Sequence, residues 1–153
     1  MKAKTHFFTF LLLIFFLQTV LVSVAAAATR IMPLGDSITQ GINSGEPIES
    51  RQVSYRKALW GKLLNAGYDV DFVGSLKSGS ALFVDPDHEG NPGWSDDQIA
   101  ASVYGFLLDN PADIILLHIG TNGIDTDPGD VEDILDEIDQ YEAVSGKKIT
   151  VVL

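Results

Sequence analysis

Asp113-Ile114-Ile115-Leu116-Leu117-His118-Ile119 is the stretch that decides the fold. It is a near-continuous apolar run, the pattern of a strand buried on both faces of a parallel sheet. Read outward from it, the chain alternates strands and helices. Upstream, Asp96 to about Leu108 reads as a helix capped by Ser95. Downstream, Asp130–Val144 carries the clearest helical pattern in the chain. Asp130, Glu132 and Asp133 crowd its first turn, where the helix dipole favours them, and Val131, Ile134, Leu135, Ile138 and Tyr141 form one face. Lys147–Leu153 begins another strand.

Nearer the N-terminus, Arg30–Leu34 is a short apolar run ended by the Gly35-Asp36 turn, a first strand. A helix is expected from Tyr55 to about Ala66, with Ser54 as its cap, apolar positions at Tyr55, Leu59, Leu63 and Ala66, and Gly67 as its stop. Asp69–Gly74 alternates Val70 and Phe72 with Asp69 and Asp71 and reads as the second strand. The Gly-, Ser-, Pro- and Asp-rich stretch from Ser75 to Ser95 reads as one long loop, and long ordered loops are usually functional. This order predicts an α/β domain over 29–153: a three-layer, flavodoxin-like parallel sheet with helices on both faces. The chain ends on Val151-Val152-Leu153, inside a predicted strand. The expectation is therefore a domain incomplete at its C-terminus, with the last strand and helix missing.

Residues 1–28 read differently. Lys2 and Lys4 precede an apolar stretch from Phe7 to about Val24, and Ala25-Ala26-Ala27-Ala28 follows, which is the pattern of a secretory signal peptide. An uncleaved anchor is the alternative, since this stretch would span roughly 27 Å as a helix. Gln18, Thr19 and Ser23 weaken the stretch, and the alanines offer a cleavage site. The protein is expected to be secreted and free of the membrane after cleavage. Loss of Lys2 and Lys4 leaves eight basic against 21 acidic residues, a net charge of −13. That surface repels phosphate backbones and anionic lipid, which argues against nucleic acid as a partner and favours a neutral substrate. The absence of cysteine excludes a thiol enzyme and a cysteine-ligated zinc site.

Three features stand where an open α/β sheet builds its ligand site, at the carboxyl ends of the strands. Gly35-Asp36-Ser37 follows the first strand, and a serine there can project its hydroxyl while its N–H helps to bind an oxyanion. Read alone, it is equally an ordinary turn in which Asp36 and Ser37 cap the next element. Gly90-Asn91-Pro92-Gly93-Trp94-Ser95 places a glycine before a helix, where its N–H can meet an anion, although Pro-Gly is also a common turn. Gly120-Thr121-Asn122 ends the third strand, and Asn122 can donate its amide to an oxyanion or merely close the turn. A hydroxyl nucleophile, a backbone donor and an amide donor at one edge make a coherent set.

These blocks resemble the SGNH, or GDSL, hydrolase superfamily: Met32-Pro33-Leu34-Gly35-Asp36-Ser37-Ile38-Thr39, then Gly93, then Gly120-Thr121-Asn122. The likeness implies Ser37 as nucleophile, with its own N–H, the Gly93 N–H and the Asn122 amide forming the oxyanion hole. More narrowly, Ser54-Tyr55-Arg56, Val70-Asp71-Phe72-Val73-Gly74-Ser75 and Asp87-His88-Glu89-Gly90 are similar to family-three carbohydrate esterases, which implies removal of acetyl groups from xylan. No cofactor is implied. Gly123 stands where family members usually carry Asp, so a less well buttressed turn is expected after the third strand. The family's Asp-x-x-His block has no counterpart.

Of the three histidines, His6 leaves with the signal, His88 reads as a surface or loop-ordering residue, and His118 as a structural histidine of its strand. The base is expected beyond Leu153, and this chain is expected to be inactive by itself. A lipase-, lysophospholipase- or aryl-esterase-type relative, and a non-catalytic secreted sugar-binding protein on the same scaffold, are the alternatives. Asp85, Asp87, His88 and Glu89, or Asp125, Asp127 and Asp130, could hold a cation, but the first group lacks the Ca²⁺-loop spacing and helix-start electrostatics explain part of the second. Trp94 and Phe83 could stack on a sugar, packing being the plainer use.

Overall fold

The computed structural model describes residues 27–42, 45–123 and 129–153. Apart from Ala27 and Ala28, the expected signal peptide lies outside the described residues, as do Asp125 and Asp127. The strands are β1 (Thr29–Gly35), β2 (Val70–Phe72), β3 (Leu76–Lys77), β4 (Asp87–Gly90), β5 (Ile114–His118) and β6 (Thr150–Val152). The helices are α1 (Ser37–Gln40), α2 (Ser54–Asn65), α3 (Asp96–Asp109) and α4 (Gly129–Ser145), with a 3₁₀ turn at Glu49–Arg51.

Strand order is β3-β4-β1-β5-β6, with β2 also paired to β1. β1 is the centre. Its first half pairs in parallel with β2 (Thr29↔Val70 to Ile31↔Phe72), and its end pairs with β4 (Leu34↔Glu89, Gly35↔Gly90). Its other edge runs along β5 from Ile31↔Ile114 to Gly35↔His118, and β5 in turn pairs in parallel with β6. The expected α/β architecture is present, with one correction. The stretch read as a long loop contains a hairpin, β3–β4, whose strands run antiparallel. The sheet is therefore mixed rather than wholly parallel.

Alternation along β1 and β5 sorts the two faces. Met32, Leu34, Ile115 and Leu117 pack with Ile99, Val103 and Leu107 of α3 and Ile134, Ile138 and Tyr141 of α4. The opposite face carries Ile31, Ile114 and Leu116 against Leu59, Trp60 and Leu63 of α2. Of the stripe expected on α4, Val131, Ile134, Ile138 and Tyr141 pack into this core, and Tyr141 meets Tyr104 of α3 edge to face at 6.0 Å. Ser95 caps α3 in a capping box closed by Gln98, as its spacing predicts. Ser54 does not cap α2. It is the first helical residue, and its hydroxyl donates to the Ile38 carbonyl instead.

The fully buried residue of α2 is an arginine. Arg56 is 0% exposed and its guanidinium lies 5.6 Å from the centre of the Phe83 ring. Nε donates to the Thr39 carbonyl at 2.9 Å, Nη1 to the Pro86 carbonyl at 2.9 Å, and Nη2 to the carbonyls of Gln40 at 2.9 Å and Gln52 at 3.0 Å. Nη2 also reaches Ser78 Oγ at 2.6 Å. Among the described residues no carboxylate lies within ion-pair distance of it. Carbonyl oxygens thus replace the hydration shell of the buried charge. Burial lowers its pKa to about 10, so it stays charged at neutral pH.

His88 completes this layer at 1% exposure. Its Nδ1 accepts from the Gly90 N–H at 2.9 Å, which assigns the ring proton to Nε2, 2.9 Å from Ser78 Oγ. His88 orders the hairpin, as one reading of the sequence expected, but it is not at the surface. Burial first, and then the Arg56 charge, lower its pKa to about 3. On the same strand Glu89 is equally buried, accepts from the Ser75 N–H and hydroxyl, and has its pKa raised by burial.

These shifts set a pH dependence. Below the unfolded histidine value of about 6.5, the unfolded chain takes up a proton that folded His88 refuses until about pH 3. The His88 contribution to stability is thus complete above that value and is lost as pH falls towards 3. Glu89 acts oppositely: its contribution is full at acid pH and is lost as pH rises through its raised folded value. His88→Gln is expected to shrink the stability difference between pH 7 and pH 4, measured by urea unfolding at each pH. An unchanged difference contradicts the assignment.

Candidate functional site

The carboxyl ends of β1, β4 and β5 meet at Gly35, Gly90 and His118. At Gly35 an added Cβ would fall 2.0 Å from the His118 carbonyl oxygen, with φ at +156°, so the strands can close up only on glycine. The chain then turns through Asp36 into α1, whose first residue is Ser37. Asp36 is buried, and its carboxylate caps α1 by accepting from the Ile38 N–H at 2.8 Å.

The same carboxylate reaches across to the turn after β5. It accepts from the Thr121 hydroxyl and, at 3.3 Å, from the Asn122 amide. The second hydrogen of that amide goes to the Trp94 carbonyl at 2.9 Å. Two hydrogen bonds from one side chain therefore gather the three predicted residues: Asn122 is held to the neighbour of Ser37 and to the neighbour of Gly93. The loop carrying Gly93 is tied to the same place, since the Asn91 N–H donates to the Gly35 carbonyl at 2.7 Å.

The two glycines of that loop have different work. The Gly90 N–H is taken by His88, and a Cβ at Gly90 would fall 2.5 Å from the Gln40 nitrogen, so α1 rests directly on this residue. Gly93 is exposed in a left-handed turn at φ +81°, with nothing within 4 Å of where a Cβ would stand. Trp94 is half-buried and stacks on Phe106 at 6.2 Å. Phe83 is buried against Trp60 and Arg56, which closes it to a sugar ring.

Gly123 faces the start of α3, where a side chain would begin 3.4 Å from an Asp96 carboxylate oxygen. An aspartate there would confront Asp96. The turn is nevertheless buttressed, through Thr121 and Asn122 onto Asp36, a partner that sequence reasoning did not single out. The acidic residues of the hairpin diverge: Asp85 accepts from the Phe72 N–H at 2.7 Å, Asp87 pairs with Lys77 at 2.5 Å, and His88 and Glu89 turn to Ser78 and Ser75. Among the described residues no group of three acidic or histidine side chains is arranged to hold a metal. His118 is exposed rather than enclosed in its strand, and it lines a pocket of about 220 Å³ with Tyr55, Leu59, Leu116, Leu117, Val152 and Leu153.

Gly90→Ala is expected to lower the unfolding free energy by about 3 kcal/mol, because backbone atoms of α1 must give way. Gly93→Asn, which keeps access to the left-handed region, should cost under about 1 kcal/mol. Urea midpoints at unchanged m-value test both; equal losses would refute the division of labour.

No protein-family model matches the chain. A multidomain esterase of Ruminococcus flavefaciens is 33% identical over an alignment covering 67% of this chain and 15% of that protein, so the chain spans a small part of that relative's length. Among solved structures, a family 3 carbohydrate esterase of Clostridium thermocellum superposes with a TM-score of 0.67 at 30% identity, covering 82% of this chain and 78% of that one. A carbohydrate esterase family 3 structure from Talaromyces cellulolyticus follows at TM-score 0.57 and 26% identity, covering 80% of this chain and 60% of that one. With the sheet, the glycine-floored turn and the Asp36-centred site already in place, these likenesses settle the lineage: the chain belongs to family 3 of the carbohydrate esterases.

Proposed function

We propose that this protein is a secreted serine esterase of the SGNH type that hydrolyses acetyl esters on plant polysaccharide, with xylan as the substrate class. The observation that carries the reading is the Asn122 amide, which joins the Ser37 turn to the Gly93 loop through Asp36 and Trp94. In the proposed reaction Ser37 Oγ attacks the ester carbonyl, the alcohol leaves, and water releases acetate from the acyl-enzyme. The Ser37 N–H, the Gly93 N–H and the Asn122 amide share the charge of the tetrahedral oxygen. Both Asn122 amide hydrogens are engaged, so this role requires one of them to change partner. Its bond to Asp36 is the longer at 3.3 Å, against 2.9 Å to Trp94, and is the one a substrate oxygen would replace.

The general base is a histidine in this chemistry. His88 is unsuited to it, because both ring nitrogens are engaged and the ring stays neutral down to about pH 3. The net charge of −11 suits a neutral polysaccharide better than a polyanion, and the basic, apolar and small-residue order of 1–28 supports export.

Acetate release from acetylated xylan and from p-nitrophenyl acetate by the full-length protein is the test. Ser37→Ala is expected to abolish both, and Asn122→Ala to lower kcat about 10²–10³-fold with a smaller effect on KM. Parent-level turnover in Ser37→Ala would end the proposal.

A further inference from the structure

The helix that carries Ser37 is one turn long and cannot supply partners for all of its own carbonyls. The Asp36 and Ser37 carbonyls accept from the Gln40 and Gly41 N–H groups at 3.2 and 2.9 Å. The next three residues are met from outside by three consecutive residues at the start of α2. Ser54 Oγ donates to the Ile38 carbonyl. The Tyr55 hydroxyl lies 3.4 Å from Thr39 Oγ1. Arg56 donates to the carbonyls of Thr39 and Gln40, each at 2.9 Å. Residues 54, 55 and 56 thus grip 38, 39 and 40 in step.

Ser54 carries a second mark. Among the described residues it alone combines a side chain with a left-handed backbone, at φ +51°. Gly41, at φ +103°, lies against it so closely that a Cβ would fall 2.8 Å from the Ser54 nitrogen. A strained serine persists only where its surroundings hold it, and such strain collects at functional sites. Here it turns the start of α2 against the end of α1 and aims the hydroxyl at Ile38.

We infer that Ser54-Tyr55-Arg56 is a positioning clamp for the nucleophile, with Ser54 as the residue whose hydroxyl fixes the Ser37 turn at its middle. The inference rests on Ser37 being the nucleophile. The three residues act through the backbone of α1 and are positioning residues rather than catalytic ones. A displacement of about 1 Å at a reacting group costs up to about 10²-fold in rate, so a looser turn should show in kcat while substrate binding is spared.

The test uses Ser54→Ala and Ser54→Gly in the full-length protein. Steady-state hydrolysis of p-nitrophenyl acetate is measured beside amide hydrogen exchange at Gln40 and Gly41. Ser54→Gly relieves the backbone while removing the hydroxyl, so its unfolding midpoint should stay near the parent's. Both variants are expected to lower kcat about 10- to 100-fold with KM within about twofold of the parent, and to speed exchange at Gln40 and Gly41 while β5 keeps its protection. Parent-level kcat in folded Ser54→Gly would overturn the clamp. If the parent shows no Ser37-dependent hydrolysis, it is the esterase proposal that fails. Exchange then decides the clamp alone: unchanged protection of α1 refutes it, and faster exchange confined to α1 sustains it.

Discussion

A four-residue helix closes two of its own hydrogen bonds and leaves its remaining carbonyls to whatever surrounds it. That constraint organises one face of this protein. Arg56 answers it by entering the interior with its charge intact and spreading five donors over the carbonyls of Thr39 and Gln40 in α1, Gln52 before α2, and Ser78 and Pro86 at the two ends of the loop that joins β3 to β4. An ion pair would have tied it to one partner. Carbonyls tie it to four segments at once, and that makes the guanidinium a junction rather than a bond.

The opposite end of α1 rests on a negative charge. Asp36 caps the helix and takes hydrogen bonds from Thr121 and Asn122, so the turns after β1 and β5 are held by one carboxylate. Between Asp36 and Arg56 the Ser37 turn is fixed at both ends by buried charged groups of opposite sign. Gly90 beneath it and Gly35 before it remove the side chains that would lift it from the sheet. The site is thus an outcome of backbone satisfaction as much as of side-chain chemistry.

Much of this fold was legible in the sequence. The apolar runs marked β1 and β5 as buried strands and the periodicity of α4 marked its packing face, because those elements bury apolar surface. The β3–β4 hairpin was not legible. Its strands are two and four residues long, and Asp87-His88-Glu89-Gly90 reads as a polar turn although Glu89 and His88 are buried. Burial there comes from hydrogen bonds rather than apolar character, and no hydropathy pattern records that. The site shows the same split. Ser37 and Asn122 stand out at strand ends and Gly93 before a helix, and the family resemblance points to all three. Asp36 as a hub and Arg56 as an anchor emerge only when segments 85 and 30 positions apart, respectively, are placed side by side. Ser54, which looks like a helix cap, is used elsewhere because Ile38 offers it a carbonyl.

The central strand also sets a timetable. β1 is made first, yet Leu34 pairs with Leu117, 83 positions later by their numbers, and with Glu89 before that. At about 5–20 residues per second of synthesis, Leu34 waits roughly 4–17 seconds for that neighbour to be made. Throughout that interval Ile31, Met32 and Leu34, the most buried part of the finished sheet, have no complete surface to join. The strand that makes the folded protein cohere is thus the one that waits longest for its neighbours.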